Sequence, residues 1–338
     1  MDKKLSSVGI IGAGKFGTAL AQTLAKNDIP ATLWLRDPQK AREINNRSTS
    51  SYYPNKNLHS KITASTNIEE IINSNKTIIY SCSSFVFRKV LSPYKKLIQA
   101  NNNFLINTAK GLDSQTNKLF FETSIDLFGE KFTNDNYFLL TGPSFANELF
   151  LEQPTCITLC GKNEKNCEVL QKLLGNKKFR IYINDDFIAC QLGGLVKNII
   201  AIAVGVCDGQ GYGSNTKTSI INWGHNEITK IGIEMGAKAE SFLGLATLGD
   251  LILTCTSEQS RNYKFGKLIG KGASIPEALT KINSTVEGYY SAKAFFELTK
   301  TYKTFLPITN SVYSLLYKDK SPATLSQELL NLPLKKEC

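Results

Sequence analysis

Four apolar residues, Val8-Gly9-Ile10-Ile11, run directly into Gly12-Ala13-Gly14-Lys15-Phe16-Gly17, and a stretch with helical apolar spacing follows to Asn27. A strand, a Gly-x-Gly-x-x-Gly turn and a helix in immediate succession restrict the fold sharply, because the helix carries the chain back to start a parallel neighbouring strand. Gly12 is read as the tight turn, Gly14 as the point where a pyrophosphate approaches the backbone, and Gly17 as the point of close helix–strand packing. The N-terminus of the helix, whose first N–H groups lack intrahelical partners, then favours an anion. A glycine-rich turn that binds nothing is the alternative, and the placement between strand and helix argues against it.

From residue 8 to about residue 183, short β-branched runs alternate with helical patterns. The runs are VGII, ATLWL, TIIYS, NFLINT, YFLLT, CITLC and RIYIN; helices are expected over Lys15 to Asn27, after Pro38 and near Phe85. This is the βαβ rhythm of a parallel sheet covered on both faces. After Asp185 the rhythm stops and helix-length patterns dominate, over Phe187 to Val206, Thr216 to Met235, Glu287 to Thr299 and Ile308 to Leu316, with glycines as punctuation. The expected division is a sheet domain over residues 1–187 and an all-α domain over residues 188–338.

A chain of 338 residues, 42% hydrophobic, has material for two such cores. Its formal charge of +11 favours an anionic partner, but no basic block of five or more residues occurs. Small phosphorylated ligands therefore fit better than nucleic acid, and weak adhesion to anionic membranes stays open. Eight cysteines, at 82, 156, 160, 167, 190, 207, 255 and 338, form no CxxC pair, and only His59 and His225 could assist them. No metal site is expected; reduced, buried thiols are. The polar start and the lack of an apolar stretch near the roughly 20 residues of a span point to a cytoplasmic protein without stable membrane insertion.

Several polar residues stand where a structural role alone explains them poorly. In Arg36-Asp37-Pro38, after the second expected strand, an acidic residue would bind the ribose of NAD and an arginine would accept the 2′-phosphate of NADP. Asp37 can instead cap the helix that Pro38 starts, which leaves Arg36 for the adenosine end and favours acceptance of NADPH. Lys110 and the segment Gly142-Pro143-Ser144-Phe145-Ala146 each follow a strand at its carboxyl end, where ligands bind in open α/β sheets. The alternatives are an exposed loop lysine and a helix start capped by Ser144.

Lys197 interrupts LGGLVKNIIAIAVG, a segment apolar nearly all round and expected to be buried. A buried ammonium needs partners, and desolvation draws a lysine towards proton transfer. Otherwise its stem reaches a domain edge. Asp250 is a candidate partner, with Thr254 four residues later on the same face of a helix; a simple helix cap is the alternative. Ser260-Arg261-Asn262 opens a further expected helix, running to Ile269. A cation in the first turn opposes the helix dipole unless an anion sits between them, and an exposed arginine is the simpler reading.

Taken in order, GAGKFGTALA, LWLRDP, SYYPN, NTAKGLD, GPSFANE, LGGLVKNIIAIAVG, LGDLILTCTSEQSRNYKFG, VEGYYSAKA and LPITNSVYSLLY resemble the bacterial type of NAD(P)-dependent glycerol-3-phosphate dehydrogenase over nearly the whole chain. The resemblance implies a Rossmann-type doubly wound sheet followed by an all-α substrate domain. It implies reversible reduction of dihydroxyacetone phosphate to sn-glycerol 3-phosphate with NADP or NAD, feeding glycerophospholipid synthesis. Lys197 is then the proton donor and acceptor, with Lys110 and Asp250 completing the catalytic set. Ser260, Arg261 and Asn262 would hold the phosphate, with Gly142, Ser144, Asn198, Thr254, Lys110 and Asp250 around the substrate. Gly12, Gly14, Lys15, Phe16, Gly17, Arg36, Lys110, Ala146, Arg261 and Glu287 fall at cofactor positions. The chain departs from the usual pattern at Lys15, Ser83, Gln191 and Trp223. The sequence does not fix the oligomeric state, and a homodimer is one assembly compatible with it. Two other readings are a related two-domain dehydrogenase acting on β-hydroxyacids or acyl-CoA, and a regulatory protein that senses NAD(P)H without turnover.

Overall fold

The computed structural model describes residues 7–334. Within it the chain forms two compact units, one ending at Phe187 and the other beginning at Ile188. The N-terminal unit is built on β1 (Val8–Ile11), β2 (Ala31–Trp34), β3 (Ile62–Ser65), β4 (Thr77–Tyr80), β5 (Phe104–Asn107), β6 (Tyr137–Thr141), β7 (Thr155–Cys160) and β8 (Phe179–Asn184). They form one sheet in the order β3-β2-β1-β4-β5-β6-β7-β8. Val8 pairs in parallel register with Ala31 on one side and Thr77 on the other. The chain therefore leaves β1 in the middle of the sheet, where strand order reverses and a crevice opens at the carboxyl edge.

Two features of the sheet differ from the sequence expectation. β3 is absent from the expected strands: only Ile62 and Ala64 of its four residues point inward, too short an alternation to stand out beside polar neighbours. The other is direction. β7 runs antiparallel to β6, and only β7 and β8 resume parallel pairing. The connection after β6 contains one helix of five residues, Ala146–Phe150. Such a helix is about 7.5 Å long, too short to carry the chain back along the sheet, so the next strand returns in the opposite sense.

The second unit is helical, with its core around Phe187–Gly209, here called the lysine helix. Ser214–Glu234, Asp250–Thr256, Arg261–Gly270, Ile275–Ile282, Glu287–Thr299, Pro307–Tyr317 and Pro322–Leu330 follow. The lysine helix is long and apolar enough to cross a membrane by length and composition, against the expectation that no stretch comes near that limit. Its most apolar window is 94% buried inside the protein, as befits a core helix.

Glycines expected as punctuation lie inside these helices. A Cβ on Gly205 or Gly209 of the lysine helix would come within 2.3 Å of the main-chain oxygens of Tyr263 or Lys267. Gly266 and Gly270 would meet the oxygens of Ile202 and Val206 in the same way. Glycine at four-residue spacing on both faces thus lets the Arg261–Gly270 helix lie backbone against backbone on the lysine helix. At the far end Asp208 binds Lys217 at 2.7 Å and Lys267 at 2.9 Å, tying three helices together. Burial alone would push the Asp208 carboxyl up, but these ammonium groups and Tyr263 hold it down at about 2.

Seven cysteines carry free thiols, of which Cys82 and Cys156 are half-buried and the rest buried; Cys338 lies outside the described residues. Among the described residues no group of three or more His, Cys, Asp or Glu side chains could hold a metal ion.

Candidate active site

In the N-terminal unit the glycine-rich turn has three distinct geometries. Gly12 adopts φ +124°, and a Cβ there would lie 2.7 Å from the carbonyl of Ser81. A Cβ on Gly17 would overlap the Gly12 oxygen. Gly14 is different: its φ is −74°, open to any residue, and nothing lies within 4 Å of where a Cβ would stand. The open side of Gly14 faces no protein atom, so a bulky group can reach the backbone there. No side chain caps the Lys15–Lys26 helix, and its first turn contains no acidic residue. These features fit the pyrophosphate of a dinucleotide.

Lys15 is exposed and Phe16 half-buried. The turn is braced from behind by Tyr53, whose hydroxyl lies 3.0 Å from the Lys15 oxygen and 3.1 Å from the Ala146 oxygen, able to donate to either. The Tyr53 ring stacks on Phe150 at 3.8 Å. SYYPN signalled a motif in the sequence, but not this bracing role.

At the end of β2, Asp37 caps the Pro38–Arg47 helix, its Oδ1 accepting from the N–H groups of Gln39 at 2.9 Å and Lys40 at 3.4 Å. Arg36 is exposed beside it. The cap reading of Asp37 is the one the fold adopts.

Beyond β5, the side chain of buried Asn107 accepts from Ala109 N–H at 2.9 Å and donates to the Tyr137 hydroxyl at 3.1 Å. That turn aims Lys110, which is half-buried rather than a free loop side chain and donates to the Gly142 oxygen at 3.4 Å. Gly142 holds φ +134°, and Ser144 donates back to the Gly142 oxygen at 3.1 Å. Ser144 is not a helix cap: Phe145 occupies that position, and its side chain makes no capping bond. Asn107 carries no signal in the sequence, because an asparagine ending a strand is common.

In the second unit, Lys197 is 6% exposed, so its stem does not reach the surface. Its ammonium donates to Asp250 Oδ1 at 2.5 Å and to Thr254 Oγ1 at 2.9 Å. Asp250 and Thr254 share a face of the Asp250–Thr256 helix, one turn apart as their spacing predicts. Asp250 is therefore an ion-pair partner and not a simple cap. Contacts to two side chains of one helix fix where the ammonium sits. Neighbouring Cys255 is buried, which pushes its thiol well above the usual range and keeps it neutral.

Next to Lys197, Asn198 belongs to a second polar cluster. Asn262 Nδ2 donates to Asn198 Oδ1 at 2.8 Å, while Asn262 Oδ1 accepts from the Gly288 N–H at 2.9 Å. Asn198 Nδ2 in turn faces Glu287 Oε2 at 3.5 Å. Ser260 caps the Arg261–Gly270 helix by accepting from Tyr263 N–H at 3.2 Å. Arg261, the first residue of that helix, is exposed. No acidic residue occupies this first turn, so nothing within it offsets the positive end of the helix dipole beside Arg261. Gly288 carried no sequence signal beyond adjoining Glu287.

The sheet order and the glycine-rich turn define a Rossmann-type dinucleotide-binding domain, joined in one chain to a helical domain with a buried lysine–carboxylate centre. The chain belongs to the NAD-dependent glycerol-3-phosphate dehydrogenase family: residues 7–167 match the model of that family's N-terminus and residues 186–327 that of its C-terminus. It is 38% identical over 337 residues to the glycerol-3-phosphate dehydrogenase (NAD(P)+) of Shewanella halifaxensis, covering 99% of this chain and 98% of the relative. It is 36% identical over 331 residues to the enzyme of the same name from a Thermoanaerobacter strain, with 98% of each chain covered. The crystal structure of glycerol-3-phosphate dehydrogenase from Coxiella burnetii superposes with a TM-score of 0.89 at 33% identity, over 96% of this chain and 99% of that one.

Proposed function

We propose that this protein reduces dihydroxyacetone phosphate reversibly to sn-glycerol 3-phosphate, using NADPH or NADH. The observation that carries the chemistry is the buried Lys197–Asp250 pair, because an ion pair placed in a core without a task adds little stability over apolar residues. Reduced nicotinamide, when bound, supplies the hydride that reaches C2 of the substrate.

In this reading Lys197 gives a proton to the C2 oxygen as negative charge develops there, and takes it back in the reverse direction. Asp250 and Thr254 hold the ammonium in place. Ser260, Arg261 and Asn262 hold the substrate phosphate at the start of their helix, with the guanidinium as the charge-assisted partner. Asn198, Thr254, Lys110, Gly142 and Ser144 also serve the substrate. Gly12, Gly14, Gly17, Lys15 and Phe16 receive the dinucleotide phosphates, Arg36 its adenosine end, and Lys110, Ala146, Arg261 and Glu287 complete the cofactor positions.

The sheet domain is thus the cofactor domain and the helical domain the substrate domain. A cytoplasmic enzyme, assembled as a homodimer and supplying glycerol 3-phosphate for phospholipid synthesis, agrees with this reading.

Loss of reduced-nicotinamide absorbance on adding dihydroxyacetone phosphate is the direct test. A purified, folded protein that binds NADPH but leaves the absorbance unchanged would overturn the enzymatic reading in favour of a sensor. The cofactor preference is tested separately by kcat/KM for NADPH and NADH. NADPH should serve at least as well as NADH, and Arg36→Ala should remove that advantage. A strong NADH preference, indifferent to Arg36→Ala, would instead assign the selectivity to Asp37.

A further inference from the structure

The proton-transfer lysine and the phosphate-binding turn lie on different helices, and a phosphate helps turnover only if both act on one substrate in register. The structure contains a direct link between them. Lys197 and Asn198 are consecutive in the lysine helix. Asn198 Oδ1 accepts from Asn262, whose own Oδ1 accepts from the Gly288 N–H at 2.9 Å. Asn262 sits in the first turn of the Arg261–Gly270 helix, beside Arg261.

All three members are buried, so each hydrogen bond is made without competition from water. Asn262 cannot rotate without leaving the buried Gly288 N–H unpaired, which is itself unfavourable. Space imposes the same constraint. A Cβ on Gly288 would lie 2.6 Å from the Asn198 main-chain oxygen, 2.8 Å from Asn262 Oδ1 and 2.9 Å from the terminal methyl of Ile202. Gly288 is helical, so the requirement is for room and not for an unusual backbone angle. One residue without a side chain therefore sets how closely the helix beginning at Glu287 approaches both Asn198 and Asn262.

We propose that Gly288 is a positioning residue, acting through the Gly288–Asn262–Asn198 hydrogen-bonded chain to hold the phosphate-binding turn in register with Lys197. This rests on the assignment of Lys197 and Arg261 made above and adds to it a residue that has no side chain to offer either ligand. The chain makes a binding feature into a catalytic one: substrate phosphate held at Arg261 sets the distance of C2 from the ammonium.

The test is the phosphate advantage, the ratio of kcat/KM for dihydroxyacetone phosphate to that for unphosphorylated dihydroxyacetone, measured with saturating NADPH. Gly288→Ala should lower this ratio roughly tenfold to a hundredfold, the scale of a misplacement of about 1 Å, with dihydroxyacetone slowed by a much smaller factor than the phosphorylated substrate. A role in stability alone would lower both activities together, with the folded fraction, and leave the ratio intact. If Gly288→Ala does not fold, Asn198→Ala reads the same chain from its other end. It should slow both substrates, and the phosphorylated one by the larger factor, so that the ratio again falls.

An unchanged ratio in a folded Gly288→Ala protein, or in Asn198→Ala if the first variant is lost, overturns the proposal. Wild-type protein with no phosphate advantage would undercut the assigned function itself, a result distinct from failure of the link.

Discussion

Lys197 and Asp250, fifty-three residues apart in the chain, meet at 2.5 Å with both side chains almost fully buried. Neither group is stable there alone. Removing one partner of a buried pair leaves an uncompensated charge and typically costs about 3–5 kcal/mol, whereas replacing both with neutral groups is often close to neutral. Lys197→Met should therefore lose about 10²–10⁴-fold in kcat and also lower the melting temperature, because Asp250 is stranded. Lys197→Met/Asp250→Asn should recover most of the lost stability and none of the lost activity. Thermal unfolding and steady-state kinetics on the same preparations separate the two effects. Near-normal turnover in a folded Lys197→Met protein would return the lysine to a structural role.

Arg261 is exposed at the start of its helix, in a turn with no acidic residue. Arg261→Ala should change the stability of the ligand-free protein by no more than about 0.5 kcal/mol. Its loss of transition-state stabilisation with dihydroxyacetone phosphate should be roughly 1.5–3 kcal/mol, seen as higher KM and lower kcat/KM. Dihydroxyacetone should be almost equally poor for both proteins. Equal slowing of the two substrates would move Arg261 to the cofactor or the fold.

Gly14 offers a cleaner separation of folding from binding than most binding residues do. With φ −74° and no atom within 4 Å of the missing Cβ, Gly14→Ala creates no clash and no strain. By limiting the unfolded chain it should leave stability unchanged or raise it by about 0.4–1 kcal/mol. The same methyl occupies the approach to the backbone, so NADPH affinity, followed by nicotinamide fluorescence, should fall. Undiminished affinity would place the pyrophosphate elsewhere.

Glu227, in the Ser214–Glu234 helix, caps the helix starting at Pro307: its carboxylate accepts from the N–H groups of Ile308 and Thr309 and from the Thr309 hydroxyl. Burial pushes this carboxyl up to about 7, against those three donors and Lys230, which pull it down. A carboxyl raised in the folded state contributes stability that is fully present below its unfolded value of 4.5 and is lost as pH rises through about 7. Relative to Glu227→Gln, the wild type should thus lose stability between those two limits, on the order of 3 kcal/mol. Denaturant unfolding across this range checks the sign, and parallel profiles for the two proteins would show that the donors outweigh burial.

The sequence alone determined the elements whose signals are local. The apolar run Val8–Ile11, the glycine spacing and the helical pattern after it specify a strand, a turn and a helix within one short segment, and no distant contact is needed to read them. Pro38 after Asp37 marks a helix start, and Asp250 with Thr254 one turn later marks a shared face, for the same reason. The buried setting of Lys197 was legible too, since a segment apolar on every side has nowhere to go but a core.

What remained for the tertiary structure depends on which segments meet. The reversal of β7 follows from the length of one connection and the packing it permits, whereas YFLLT and CITLC read alike in either direction. The sequence offered Asp250 as a candidate partner for the buried Lys197, with a helix cap as the alternative; only the fold chooses between them, because no local pattern encodes a meeting across fifty-three residues. Gly205, Gly266 and Gly288 look like interruptions in sequence and are points of contact in space. A glycine reports only that a side chain is absent; whether the absence serves a turn or the approach of another helix is decided by the backbone that comes to lie against it.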